Sequence, residues 1–311
     1  MPALGAIHAR SHEYSVGRKY MSDEWTVWHE LLDLGFGQKF YDVDGVRTRV
    51  IEAGEGSPMI WLHGGGGHAE TYVRNLGAHA PYRRNYALDM LGQGFTDTPE
   101  DCDYFTSDVI EHVVKFMDVA GIDKADFSGE SFGGRVASWV AIKHPERVHK
   151  LILNTGGGLP ATDPKHQSDV TDLMARTKAS LERTDFDSVR SRMEWLVYDP
   201  ASMPDELVRI RQAIYERPGI KSSLTKLFSR LFDPEDAANY WLTPERVATI
   251  NAPTQVVWTD HNPIHSWEDA RAGFSYIPDV RFHLIENAAH WPHFEQPDEY
   301  NEVTLKFLLE D

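Results

Sequence analysis

Beyond residue 38 apolar and polar positions alternate with the two-residue period of strands over 39–43 and 46–53, and Asp44-Gly45 between them marks a hairpin turn. The next run, Pro58-Met59-Ile60-Trp61-Leu62, is continuously apolar and suits a strand buried on both faces. Helical and strand patterns then take turns: a helix near 71–79, a strand 85–88, a helix 107–120, a strand 124–128, a helix 135–142 and a strand 149–154. Such alternation predicts a mostly parallel sheet with helices on both faces. After Gly156-Gly157-Gly158 the rhythm breaks. Only helical patterns follow, over 168–184, 186–197, 205–216 and 220–232, set off by Asp199-Pro200 and Asp233-Pro234. Because this block supplies no strand, it reads as an inserted helical cap. Alternation resumes with a strand 254–258, a helix 267–275, a strand 281–285 and a helix 298–309. The expected organisation is an N-terminal extension over 1–36 with a short helix near 24–32, an α/β core over 37–158 and 243–311, and a cap over 159–242.

A chain of 311 residues with 41% hydrophobic content can bury one substantial core. No stretch approaches the ~20 apolar residues that span a bilayer, and the first ten residues lack a signal-peptide core, so a cytoplasmic protein that does not engage membranes is expected. A formal charge of −17 argues against nucleic acid, whose phosphates call for a clustered basic surface. Cys102 is the sole cysteine, which rules out an intramolecular disulfide and a cysteine zinc cage. The 15 histidines are scattered and form no HExxH pattern, so neither a metal nor a cofactor is expected.

The chemistry centres on Ser131. It lies in Gly129-Glu130-Ser131-Phe132-Gly133, between a short buried strand and an amphipathic helix, where a strained turn needs small neighbours on both sides. A serine is a poor nucleophile until a base takes its proton. His290, in Asn287-Ala288-Ala289-His290-Trp291, follows a strand at the right place in the order, with His293 as its competitor. Charge that develops on a substrate oxygen needs backbone N–H donors. Phe132, at a helix start, is one; Gly65, in the run Gly64-Gly65-Gly66-Gly67, is the other, since residues without a Cβ let backbone approach substrate closely. The run lacks the lysine and Ser/Thr of a phosphate-binding loop and the third spaced glycine of a dinucleotide fold. These segments and the loop 259–265 all fall at the carboxyl ends of predicted strands, where open parallel sheets bind small molecules.

With these residues in hand, the chain over about 38–310 resembles the α/β-hydrolase fold family, and within it the serine hydrolases that cleave a carbon-carbon bond in ring-opened (meta-cleavage) products of aromatic degradation. The carriers are Leu62-His63-Gly64-Gly65-Gly66, Leu88-Asp89-Met90-Leu91-Gly92-Gln93-Gly94, Gly129-Glu130-Ser131-Phe132-Gly133-Gly134, His144-Pro145-Glu146-Arg147-Val148 and Ala289-His290-Trp291. The resemblance implies an eight-stranded, mostly parallel sheet with an inserted cap. It implies cofactor-free cleavage next to a ketone in a small dienoate-like catabolic substrate, and a homo-oligomer as the state common among relatives. It also implies a pocket built from Gly64, Gly66, Glu130, Trp291 and Arg211. Arg211 falls where the family carries an arginine for the substrate carboxylate; on sequence alone it is one of several cap arginines, though guanidinium suits a carboxylate by bidentate bonding.

The chain departs from the family at the triad acid. Asn262, in Trp258-Thr259-Asp260-His261-Asn262, stands where relatives have aspartate. Three readings stay open: Asn262 orients the histidine as a neutral acceptor, Asp260 takes over as acid, or the asparagine is an inactivating substitution. Glu130 and Thr71 replace asparagines of related enzymes, which points to a different compound in the pocket. The alternatives to carbon-carbon cleavage are a carboxylesterase or lactone hydrolase on the same scaffold, and a non-catalytic ligand-binding descendant.

Overall fold

The computed structural model describes residues 26–32, 34–160, 164–231 and 233–310. Its strands are β1 (Phe36–Val43), β2 (Val46–Ala53), β3 (Ser57–Leu62), β4 (Arg83–Leu88), β5 (Ala125–Glu130), β6 (Val148–Asn154), β7 (Thr254–Thr259) and β8 (Val280–Ile285). They form one sheet in the order β1-β2-β4-β3-β5-β6-β7-β8. The first hairpin turns at Asp44 (φ 52°) and Gly45 (φ 84°), the left-handed pair that a two-residue connection demands. β2 pairs antiparallel with both β1 and β4, and all remaining pairs are parallel. Every residue of β5 and of β7 is buried, as expected for strands covered on both faces.

The topology fixes where a ligand can sit. β3 lies between β4 and β5, so the chain leaves β3 toward one side of the sheet and returns on the other. The crevice at such a reversal opens beyond the carboxyl ends of β3 and β5. Those ends run into the glycine run after Leu62 and into Ser131.

Between Gly158 and Leu242 the described residues form five α-helices and no strand: Pro164–Arg183, Phe186–Glu194, Asp205–Tyr215, Ile220–Leu231 and Pro234–Tyr240. The last of these was not legible in the sequence. Asp233-Pro234 reads as a breaker, yet proline is well suited to the first turn of a helix, whose N–H groups have no intrahelical acceptor. The insertion leaves and rejoins the core at one point, where the Leu242 N–H donates to the Gly158 carbonyl at 2.7 Å. It is tied down over the sheet ends by Ser223 Oγ on the Gly92 carbonyl (2.7 Å), Tyr215 Oη on the Gly66 carbonyl (3.3 Å) and the His290 N–H on the Leu196 carbonyl (2.8 Å). Before the sheet the described part of the extension holds a short helix, Val27–Leu31; the expected start of that helix at Glu24 lies outside the described residues. No helix among the described residues is long and apolar enough to cross a membrane.

Candidate active site

Ser131 sits at φ 51°, ψ −117°, a conformation that L-residues rarely adopt. Close packing of strand and helix holds it there. A Cβ on Gly129 would stand 2.4 Å from the Gly133 carbonyl oxygen, one on Gly133 2.1 Å from that of Leu62, and one on Gly134 2.7 Å from Gly156 Cα. The Ser131 N–H donates to the Asn154 carbonyl (3.2 Å), and the Gly157 N–H donates to the Ser131 carbonyl (2.7 Å). This backbone lattice pins the residue while leaving its hydroxyl on the wall of a cavity of about 440 Å³. The helix begins at Phe132, three residues before the sequence places it, because tertiary contact overrides the poor helix propensity of two glycines.

His290 lines the same cavity and is buried. Its Nδ1 stands 2.7 Å from Asn262 Oδ1, and Asn262 Nδ2 donates to the His265 carbonyl at 2.9 Å. That second bond decides which way the amide faces. Oδ1 must accept, so Nδ1 carries the imidazole proton and Nε2 presents a lone pair toward the cavity. Asp260 does not take the acid position. Its carboxylate receives the Asn287 and Ala288 N–H groups (3.1 and 3.4 Å) and lies 2.9 Å from His261 Nδ1, bracing the loop that carries His290. His293 is removed from the cavity: its Nδ1 accepts from Asn154 Nδ2 at 2.7 Å and its ring packs on Tyr72.

The glycine run closes over the site. His63, fully buried, accepts the Met90 N–H at Nε2 (3.1 Å) and donates from Nδ1 to the Gly64 carbonyl (2.7 Å), which fixes the start of the run. Gly64, Gly65 and Gly67 line the cavity. Gly66 does not belong to that lining: its N–H donates to Gln93 Oε1 (2.7 Å) and its carbonyl receives Tyr215, so the expected pocket role passes to its neighbours. Phe132 is the first residue of its helix, so its N–H has no intrahelical acceptor, and it lines the cavity together with Gly65.

Glu130 turns inward. It is 3% exposed, packs its carboxylate against Gly64 with the Trp291 indole nearby, and places Oε1 3.3 Å from His290 Nε2. Burial pushes its carboxyl up to about 8, against the opposing pull of the Gly64 and Trp291 N–H groups and of Arg211 and Arg192. Burial, with Arg192 nearby, pushes His290 down to about 3. A Cβ on Gly64 would stand 2.4 Å from Glu130 Oε2, so the glycine makes room for the carboxylate.

The far wall comes from the insertion, chiefly from two arginines. Arg211 is 1% exposed, and its Nε and Nη2 have no hydrogen-bond partner among the described residues. Its guanidinium carbon lies 5.8 and 5.9 Å from the ring centroids of Tyr215 and Trp291. Arg192 was not singled out from sequence. It donates from Nε to Thr177 Oγ1 (2.9 Å), leaves Nη1 without a partner among the described residues, and is pushed by burial down to about 10. The signal was present: Arg192 shares a helix face with Val189, Met193 and Leu196, and Arg211 shares one with Leu207, Val208 and Tyr215. A cation in an apolar stripe is costly without a partner, so a ligand is the natural partner. Leu159, Leu173, Phe228 and Trp241 give the rest of the cavity an apolar lining.

The model of a family described as alpha/beta hydrolase fold matches residues 57–297. The 2-hydroxymuconate semialdehyde hydrolase of Pseudomonas putida is 27% identical over 273 residues, which cover 86% of this chain and 92% of that protein. The 2-hydroxy-6-oxo-6-phenylhexa-2,4-dienoate hydrolase of Comamonas testosteroni is 30% identical over 276 residues, covering 86% and 93%. Among solved structures, a meta-cleavage product hydrolase (CumD) from Pseudomonas fluorescens IP01 superposes with a TM-score of 0.74 at 25% identity, covering 87% of this chain and 97% of that one.

Proposed function

We propose that this chain, which belongs to the alpha/beta hydrolase fold family, is a serine hydrolase that cleaves the carbon-carbon bond beside a ketone in a carboxylate-bearing dienoate. The observation that carries the proposal is the buried guanidinium of Arg211, whose Nε and Nη2 have no hydrogen-bond partner among the described residues, in the cavity that Ser131 and His290 also line. A neutral ester would leave that charge uncompensated, whereas a substrate carboxylate neutralises it and fixes which end of the molecule faces Ser131. The names of the relatives, hydrolases of 2-hydroxy-6-oxo-dienoates, support the same substrate class.

The chemistry assigns a task to each group. The dienol first gives up its O–H proton and takes one at the carbon beside the ketone, so that the bond to be broken joins a carbonyl to a saturated carbon. Ser131 Oγ then passes its proton to His290 Nε2 and attacks the carbonyl carbon. The resulting oxyanion is held by the N–H groups of Phe132 and Gly65. As the tetrahedral adduct collapses, the carbon-carbon bond breaks, its electron pair enters the conjugated carboxylate-bearing fragment as a dienolate, and the Nε2 proton passes to the enolate oxygen, giving the 2-hydroxydienoate. Water activated by the same nitrogen frees the acid from Ser131. In sum, one water is added and two acids leave. The apolar lining accommodates the substituent on the ketone.

The test follows absorbance of a yellow 2-hydroxy-6-oxo-dienoate. Decay with the native chain and none with Ser131→Ala supports the proposal. Persistence of every such dienoate alongside fast turnover of p-nitrophenyl butyrate would replace it with an ester or lactone hydrolase.

A further inference from the structure

In a serine triad the acid supplies negative charge to the imidazolium that forms when histidine takes the serine proton. Here Asn262 offers His290 Nδ1 a neutral oxygen, locked in place by its own bond to His265. The nearest carboxylate to the ring stands on the opposite side, at Nε2, where Glu130 Oε1 lies 3.3 Å away with both side chains buried. Nothing about the turn geometry requires a glutamate at 130. Its carboxyl is nonetheless built into the site, buried against Gly64, which has no side chain to block it, and facing His290 Nε2.

We propose that Glu130 is a charge-compensating positioning residue that replaces the missing triad aspartate, acting on His290 from its Nε2 side and gating the base by its own protonation. This deepens the serine-hydrolase reading and rests on it. When Glu130 is protonated, its O–H faces the Nε2 lone pair and occupies the base, so Ser131 is idle. When Glu130 is ionised, Nε2 is free, and the imidazolium formed on taking the Ser131 proton finds a counter-charge beside it. The proton count closes: one proton leaves Glu130 to solvent, and one moves from Ser131 Oγ to Nε2. The other charged or titratable groups facing Glu130 are Arg211 and Arg192 from the insertion, which favour its ionised form, and the buried hydroxyls of Tyr72 and Tyr300. Burial outweighs the arginines and sets the switch in the mildly alkaline range, about 8.

The test measures the rate of Ser131 phosphonylation by a fluorophosphonate, which reports serine reactivity without any assumption about the substrate. The native rate is expected to rise through the pH at which Glu130 ionises. Glutamine mimics the protonated acid, so Glu130→Gln should match the native rate near about pH 6 and fall behind by roughly 10²-fold near about pH 9. Together with Asn262→Asp, the same change should cost less than about tenfold, because the aspartate supplies the charge from Nδ1. Glu130→Asn, which withdraws the side chain from Nε2, provides a second variant and should also lack the alkaline rise. Parallel native and Glu130→Gln profiles, or an equal loss with and without Asn262→Asp, overturn the inference while leaving the serine reading intact. No labelling of Ser131 at any pH overturns both.

Discussion

Asn262 and His290 meet through one oxygen and one ring nitrogen 2.7 Å apart, and the Asn262 bond to the His265 carbonyl removes any choice about which atom faces which. The imidazole is therefore oriented without being charged from behind. Replacing Asn262 by aspartate adds charge at the same distance but costs the bond to His265. In a serine protease the reverse change lowers turnover about 10⁴-fold; with Glu130 already beside Nε2, we expect Asn262→Asp to raise kcat by only roughly ten- to a hundredfold. Steady-state kcat above pH 8.5, where Glu130 is ionised, checks this, and a gain near the protease value would mean that Glu130 contributes no counter-charge.

Arg211 separates stability from function. A buried guanidinium whose Nε and Nη2 have no hydrogen-bond partner among the described residues is a cost to the folded state that bound substrate relieves. Arg211→Met should therefore raise the melting temperature of the free protein while raising KM on the order of 10²-fold, as when one partner of a buried charge pair is truncated at a cost of about 2–5 kcal/mol. Thermal melts and KM on the same preparation decide. A lower melting temperature would show that Arg211 is structural.

Glu295 clamps the histidine loop. Its half-buried carboxylate receives the Ala289 and Trp291 N–H groups (3.0 Å each) and the Tyr198 N–H of the insertion (2.6 Å), so it fixes the residues on both sides of His290. Glu295→Ala would strand three donors and should cost about 1–3 kcal/mol of stability for each one that water does not reach. It should also lower kcat more than it raises KM. Glu295→Gln, which keeps one acceptor oxygen, should recover part of both losses.

Burial pushes His63 and His293 down to about 3, and His79 and His112 to about 4, from an ordinary 6.5. The sign follows from the protons bound. Below 6.5 the unfolded chain takes up protons that these buried rings refuse, so the stability they contribute is whole above 6.5 and is lost as pH falls toward 4. Each removes about 1.4 kcal/mol per pH unit in that window. Glu130 and Glu295, raised by burial to about 8 and about 7, act the other way and favour the fold as pH falls, but the histidines outnumber them. Melting temperature should therefore drop steadily between pH 6.5 and 4.5, and His112→Asn, at a ring that bonds Thr48, should make the slope shallower by about one proton.

Much of this molecule is written in local pattern. The apolar run ending at Leu62, the Asp44-Gly45 turn and the glycines around Ser131 each have a physical reason that acts within a few residues, and the strands, the elbow and the helical insertion follow from them. What the sequence leaves open depends on contacts made across the fold. The helix start at Phe132 is fixed by carbonyls of β3, the helix from Pro234 hides behind a proline that serves equally as breaker or first residue, and Asp260 looks as good an acid as Asn262 until the loop shows it facing Asn287. Glu130 is the sharpest case, since inward and outward orientations of the residue before a nucleophile are equally open on paper. Only the glycine at 64, which leaves the space for its carboxylate, distinguishes them.

The central claim is that Ser131 and His290 break a carbon-carbon bond in a substrate whose carboxylate rests on Arg211. Product analysis after complete conversion of 2-hydroxy-6-oxo-6-phenylhexa-2,4-dienoate tests it most directly. The account predicts benzoate and 2-hydroxypenta-2,4-dienoate in equal amounts from the native chain, and neither from Ser131→Ala. Recovery of the dienoate unchanged, or equal product formation by both proteins, would contradict it.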